Sequence, residues 1–241
     1  RTYSQIVPSF AHSIATTLIG KVPVSHRNMS FDFKLKKFLT GLGFESRLRN
    51  PVWLGPLPPG YLERLFGEKI DIEEIYSESI ETWDYQKFDS DIDQTLRFYT
   101  ELYLQNDILM KMDRAGMLNS LEVRSPFLDL EFVDLVRRIP ARLKFDGKVT
   151  KKILKEALYP LLPLEILYRG KKGFGIPIGQ WFRDQQIGID TQKLQGVLNT
   201  DFVDQLNQEH IHNRADWRAF LWAYYGLQRW LDQPIFAQSF V

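Results

Sequence analysis

Apolar residues recur at three- and four-residue spacings along most of this chain, the period of amphipathic helices. From about Ser90 to Ser120 they fall at Ile92, Leu96, Phe98, Leu102, Tyr103, Ile108, Leu109, Met112 and Met117. That pattern predicts one long helix or two end to end. Ser125 and Pro126 break it. Asp129 is placed to cap a following helix with a buried face of Phe132, Leu135, Val136 and Ile139, ended by Pro140. Thr150 is placed to cap another, through Ile153, Leu154, Ala157 and Leu158. Upstream, Ser30 precedes Phe31, Phe33, Leu35, Phe38 and Leu39, and Gly41 stands where that helix would stop. Pro51, Pro56, Pro58 and Pro59 fall between Asn50 and Gly60, where fixed φ angles and missing N–H donors predict a loop. The C-terminal part predicts a short helix around Gln180–Arg183 and two more, at about Asp201–Gln208 and Asp216–Leu231. The last carries large apolar area suited to docking, mostly aromatic: Trp217, Phe220, Trp222, Tyr224 and Trp230, with Leu227. Period-two runs bounded by tight glycine turns are absent, so strand signals are scarce. No internal repeat or low-complexity tract occurs.

Composition narrows the function classes. The chain has 241 residues, 44% of them apolar, with 17 Phe, 10 Tyr and 6 Trp. That is ample for a packed core and excludes a disordered or collagen-like chain. The net charge is +1, which does not indicate a globally basic nucleic-acid binder. The absence of cysteine excludes a disulfide framework, a thiolate zinc site, an iron–sulfur cluster and a cysteine nucleophile. It fits a reducing, cytoplasmic setting. The longest apolar run, Ala219–Tyr225, is far short of the roughly 20 residues that span a bilayer. The chain opens on Arg1 with no methionine before it and reads as a piece of something longer.

Charge is uneven. Between Arg137 and Lys172 stand 11 basic residues against three acidic ones, enough to face a polyanion or to form two solvated helix faces. The loop Arg169-Gly170-Lys171-Lys172-Gly173-Phe174-Gly175-Ile176-Pro177 combines small residues, which let backbone approach a ligand, with adjacent cations suited to phosphate oxygens. It has neither the Walker A order nor the G-x-G-x-x-G fingerprint, and taken alone it reads first as an ordinary solvated surface turn. Asp113, Arg114, Glu122 and Arg124 interrupt an apolar stretch. Buried charges need partners, so these four predict an internal network at the helix end, or groups pointing into a substrate cleft. His210 and His212, two apart, fall on different sides of a helix and do not form a metal site by themselves.

The run Leu121-Glu122-Val123-Arg124-Ser125-Pro126-Phe127-Leu128-Asp129, preceded by Lys111-Met112-Asp113-Arg114-Ala115, resembles the C-terminal synthetase domain of the glutamine-dependent asparagine synthetase family. The loop Arg169–Pro177, at the expected distance downstream, resembles the same family, as does Arg27-Asn28-Met29-Ser30-Phe31 ahead of a basic helix. The likeness is strongest over residues 103–184, and residues 185–241 form a helical tail. The expected fold is mainly α: the helical C-terminal part of an adenine-nucleotide α-hydrolase-like (ATP pyrophosphatase) synthetase domain, with most of the parallel sheet missing. Helix faces left without that sheet predict association between copies or a partner chain.

The resemblance implies adenylation chemistry with ATP and Mg2+. The β-carboxylate of aspartate attacks the α-phosphate, pyrophosphate leaves, and ammonia derived from glutamine displaces AMP. By matching motif position, Lys171 resembles the family's phosphate-contacting catalytic lysine. Lys172 and Gly173 are its companions on the nucleotide, and Asp107 falls near the acidic position some members use beside the incoming nucleophile. The implied partners are small molecules and a second copy of the chain, with no nucleic acid and no membrane. The family's Ser-Gly-Gly-x-Asp-Ser pyrophosphate loop does not occur in this sequence, so the isolated chain is expected to be a catalytically incomplete fragment. Ser125 stands where many members have valine, which leaves open related amidotransferases that act on sugars, peptides or β-lactam precursors. A non-catalytic helical interaction module is the alternative from a different class. It is separated from the enzyme reading by whether Lys171 rims a cleft or a large apolar patch lies exposed.

Overall fold

The computed structural model of the chain describes residue 17 and residues 31–88, 90–170 and 175–233. The protein is mainly α. Among the described residues there is no sheet, and only two isolated bridges occur, Phe145 with Thr150 and Gln195 with Leu198. Contacts divide the chain into two compact units. The first is Arg1–Ser77 with Phe174–Val241; the second is Glu78–Gly173.

In the first unit, helices Leu62–Phe66, Ile178–Arg183, Thr200–Ile211 and Arg218–Leu231 enclose a core. It contains Leu57, Leu65, Phe182, Leu194, Phe202, Val203, Leu206, Phe220, Leu221 and Tyr224. The Asn199 N–H donates to the Leu65 carbonyl at 2.7 Å, joining segments far apart in sequence. Asn199 also caps its helix by accepting from the Phe202 N–H at 3.1 Å. The aromatic C-terminal helix docks through Phe220, Leu221 and Tyr224, while Trp222, Leu227 and Trp230 stay exposed.

Helix Phe31–Leu42 stops one residue past Gly41, as the sequence predicts. A Cβ on Gly41 would lie 2.0 Å from the Trp53 indole nitrogen, so the glycine also admits a neighbouring side chain. Trp53 stacks on Phe38 and donates to its carbonyl at 3.3 Å. The proline-rich stretch is helical as far as Leu54, because helix Ser46–Leu54 contains Pro51. A proline inside a helix costs about 3 kcal/mol, through the missing N–H and the ring's clash with the preceding turn. Burial of Leu48 and Val52, at about 1.5–3 kcal/mol per side chain, offsets it.

In the second unit a helical rod runs without a break from Asp91 to Met117: α over Asp91–Phe98, π over Tyr99–Leu109, and α again over Met110–Met117. Ser90 caps it, accepting from the Ile92 N–H at 3.2 Å. A small cluster sits at its start. Phe98 meets Trp83 and Tyr99 edge-on, and the Gln94 amide donates to the Trp83 carbonyl. Among the described residues of this unit only Gln94 and Phe98 are buried.

Asp129 caps helix Leu130–Arg138 as its sequence predicts, accepting from the Phe132 N–H at 3.0 Å. The expected buried face of that helix is not buried, however; Leu135 is 61% exposed. Thr150 does not cap. The Asp146 carboxylate accepts from the Lys148 and Val149 N–H groups, closing a turn that pairs Phe145 with Thr150. Helix Lys152–Leu158 then starts from Lys151 in a left-handed conformation, φ 56°.

Candidate functional site

The long motif is a chain reversal built from local bonds. Helix Met110–Met117 ends where the Gly116 carbonyl accepts from both Asn119 and Leu121 N–H groups at 2.9 Å, with Ser120 left-handed at φ 56°. A Cβ on Gly116 would lie 2.7 Å from the Leu121 carbonyl oxygen, so only glycine lets the returning chain approach this closely. The Leu128 N–H then donates to the Ser125 carbonyl, the turn Pro126–Leu128 follows, and Asp129 starts the next helix.

Charge in the motif is on the surface. Glu122 pairs with Arg124 at 2.7 Å with both side chains mostly in solvent, and Asp113 and Arg114 are exposed. This corrects the expected internal network. The apolar residues beside them, Leu121 and Val123, are exposed as well, so no low-dielectric interior requires the charges to pair. Asp107 lies in the π-helical segment, half-buried, with its carboxylate 3.0 Å from Lys111 Nζ. Lys171, Lys172 and Gly173 lie outside the described residues.

Two features were not read from the sequence. The first is a groove of about 660 Å3 in the second unit, lined by the faces of helices Asp91–Phe98, Leu130–Arg138 and Lys152–Leu158. Ile92, Leu96, Phe132, Leu135, Val136 and Leu154 are among its walls. The only charged side chains in the lining are Lys144 and Lys151. Lys144 is held by Asp93 at 3.1 Å. The periodic stripes were visible in the sequence; that three of them face one open space was not.

The second feature follows the basic loop in the first unit. His210 is fully buried and uses both ring nitrogens. Nε2–H donates to the Gly179 carbonyl at 2.9 Å, and Nδ1 accepts the Trp217 N–H at 3.2 Å. This pair of bonds assigns the neutral Nε2–H tautomer. Burial pushes its pKa below the usual imidazole value, opposed by the Gly179 carbonyl and Asp216. Burial would raise the Asp216 carboxyl, but the Arg218 guanidinium, with Nη2 at 2.6 Å, overcomes that and holds it below the usual range. His210 therefore fixes the start of helix Ile178–Arg183 and does not serve as a ligand. Among the described residues no group of three or more His, Asp or Glu side chains is placed to hold a metal ion, and no helix is long and apolar enough to cross a membrane.

Comparison with known proteins decides the family. The family model described as asparagine synthase matches residues 29–232, covering both units. The chain belongs to the asparagine synthase family. Among similar asparagine synthase proteins, asparagine synthetase [glutamine-hydrolyzing] 1 of Bacillus subtilis is 33% identical over 138 residues, which are 55% of this chain and 22% of that protein. A putative asparagine synthetase of Mycobacterium bovis is 33% identical over 134 residues, 53% of this chain and 21% of its own length. The asparagine synthetase of Mesocricetus auratus is 26% identical over 162 residues, 58% of this chain and 28% of its length. The matched stretch thus spans only 21–28% of the length of these curated relatives. No solved structure gives a significant match.

Proposed function

We propose that this chain is part of the synthetase region of an ATP-dependent amidotransferase of the asparagine-synthetase type. The observation that carries this reading is the asparagine synthase match over residues 29–232. It takes in the reversal motif Lys111–Asp129 and the basic loop Arg169–Pro177 in one span. In the proposed reaction a carboxylate oxygen of aspartate, or of an aspartate-like acceptor, attacks the α-phosphate of ATP and expels pyrophosphate. Ammonia from glutamine then attacks the acyl carbon, and AMP leaves with the carboxylate oxygen.

Lys171 supplies positive charge to the phosphates as the α–β bond breaks, with Lys172 and Gly173 beside it on the nucleotide. Asp107 stands near the entering nucleophile. Its pair with Lys111 is solvated and worth no more than about 1 kcal/mol, so opening it costs little. Among the described residues no group of three or more His, Asp or Glu side chains is placed to hold Mg2+.

The test is Lys171→Ala in the longer parent protein. Aspartate-dependent exchange of pyrophosphate into ATP should fall by about 10²–10³; near-normal exchange overturns the role. The 241-residue chain, which contains no Ser-Gly-Gly-x-Asp-Ser stretch, should show no steady exchange on its own.

A second reading, a non-catalytic interaction module, is favoured by one observation, the open apolar surface of the second unit. Phe127, Leu130 and Leu135 are all more than half exposed. The exchange assay on the parent separates the two.

A further inference from the structure

Helix Lys152–Leu158 forms one wall of the groove, and the segment that follows it, residues 159–168, is apolar. Both lie within the second unit, Glu78–Gly173. Tyr159, Leu161, Leu162, Leu164, Ile166 and Tyr168 are each between 39% and 75% exposed. The only charged residue of the segment is Glu165, and none of its residues lines the groove. Within one copy, therefore, the segment leaves the groove open and the groove leaves the segment uncovered.

The segment is already shaped. Leu161 and Leu162 N–H groups both donate to the Leu158 carbonyl at 2.9 Å, and Ile166 and Leu167 N–H groups to that of Pro163 at 3.0 and 3.2 Å. Pro160 and Pro163 fix two further φ angles. Lys155 Nζ sits over the Tyr168 ring, 5.1 Å from its centroid. A segment ordered beforehand loses little freedom on docking. Charge does not oppose it either, because no carboxylate lines the groove and the exposed cation on its wall, Lys151, is opposite in sign to Glu165.

Area favours a second copy of the chain as the occupant. A fully exposed Leu or Ile side chain offers about 60–120 Å2 for burial, and a Tyr about 150–250 Å2. Weighted by their exposures, the six side chains offer about 300–550 Å2 in each copy. Two segments with the two groove walls they would cover reach about 1,200–2,200 Å2, past the roughly 1,000 Å2 that a specific interface needs. We propose that two copies of this chain pair about a two-fold axis, segment 159–168 of each seating in the apolar groove of the other. Ala157 lines the groove and Tyr159 opens the segment, so the two surfaces adjoin and one axis serves both contacts. Such a pair is closed and stops at the dimer.

Sedimentation velocity of the 241-residue chain over a protein concentration series tests this. The chain should pass from monomer at the dilute end to dimer at the concentrated end, with nothing larger. Ammonium sulfate, which strengthens apolar burial, should favour the dimer. Two exposed pairs are then altered: Leu161→Glu with Leu164→Glu in the segment, and separately Leu96→Lys with Leu135→Lys in the groove. Each double variant, with its helical circular dichroism retained, should dimerise at least about tenfold more weakly, because a charge must enter an apolar contact. An equimolar mixture of the two should dimerise more tightly than either alone and more weakly than the wild type. In the mixed dimer one of the two contacts is intact, and the other brings Glu against Lys. A wild-type chain that stays monomeric throughout the series overturns the proposal. So do species that grow beyond the dimer, a dimer that the salt dissociates, a double variant without effect, or a mixture no tighter than its components.

Discussion

Helices Thr200–Ile211 and Leu130–Arg138 begin alike. Each is capped by an Asn or Asp side chain that accepts the N–H three residues on, and each carries an apolar stripe. Yet Phe202, Val203 and Leu206 of the first are buried, whereas Phe132, Leu135 and Val136 of the second line an open groove. A cap contributes about 1 kcal/mol and burial about 1.5–3 kcal/mol per large apolar side chain. Cap and stripe are enough to specify a helix. Only a neighbouring layer turns the stripe into core. The first unit supplies that layer by returning the chain from Leu65 to Asn199. Among its described residues, the second unit does not.

The contrast is broken or sharpened most strongly by paired truncations. Leu206→Ala, at a fully buried site, should cost 2–5 kcal/mol in urea unfolding, by roughly the range such core deletions show. Leu135→Ala should stay within about 0.5 kcal/mol, as surface changes do. A large effect at Leu135 would mean that its groove is filled in solution.

Next in size is pH. His210 binds a proton less readily folded than unfolded, so its contribution is neutral above the unfolded pKa of about 6.5. As pH falls below that value the unfolded chain takes up the proton first. Stability then declines by up to about 1.4 kcal/mol per pH unit, until the lowered folded pKa is passed. Denaturation followed by tryptophan fluorescence between pH 8 and 5 should show this decline. The slope should vanish in His210→Gln, although that variant is less stable throughout.

The smallest expected effect is Asp129→Ala, about 1 kcal/mol of local helix stability. Hydrogen exchange should detect it as faster exchange in Leu130–Arg138, with Thr200–Ile211 unchanged. If both helices respond together, the two units unfold as one.

Where a signal was local, the sequence could be read directly. The rod from Ser90, the Asp129 cap and the Pro140 stop all hold, because each depends on residues within one or two turns. The readings of Pro51 and Thr150 failed. Buried neighbours carry Pro51 into a helix, and the helix after Thr150 starts at Lys152 from a left-handed Lys151, one residue later than a Thr150 cap would set it. The expected charge network at Asp113, Arg114, Glu122 and Arg124 assumed an interior that the second unit does not enclose.

By itself the sequence determined that this protein is helical, where its longer helices begin, and which family it belongs to. Periodicity, caps and contiguous motifs are short-range properties of the chain. Tertiary structure alone decided which stripes become core, that three of them share one groove, and that His210 is held neutral between Gly179 and Trp217. Burial depends on what arrives from elsewhere in the chain, and no local pattern records that arrival.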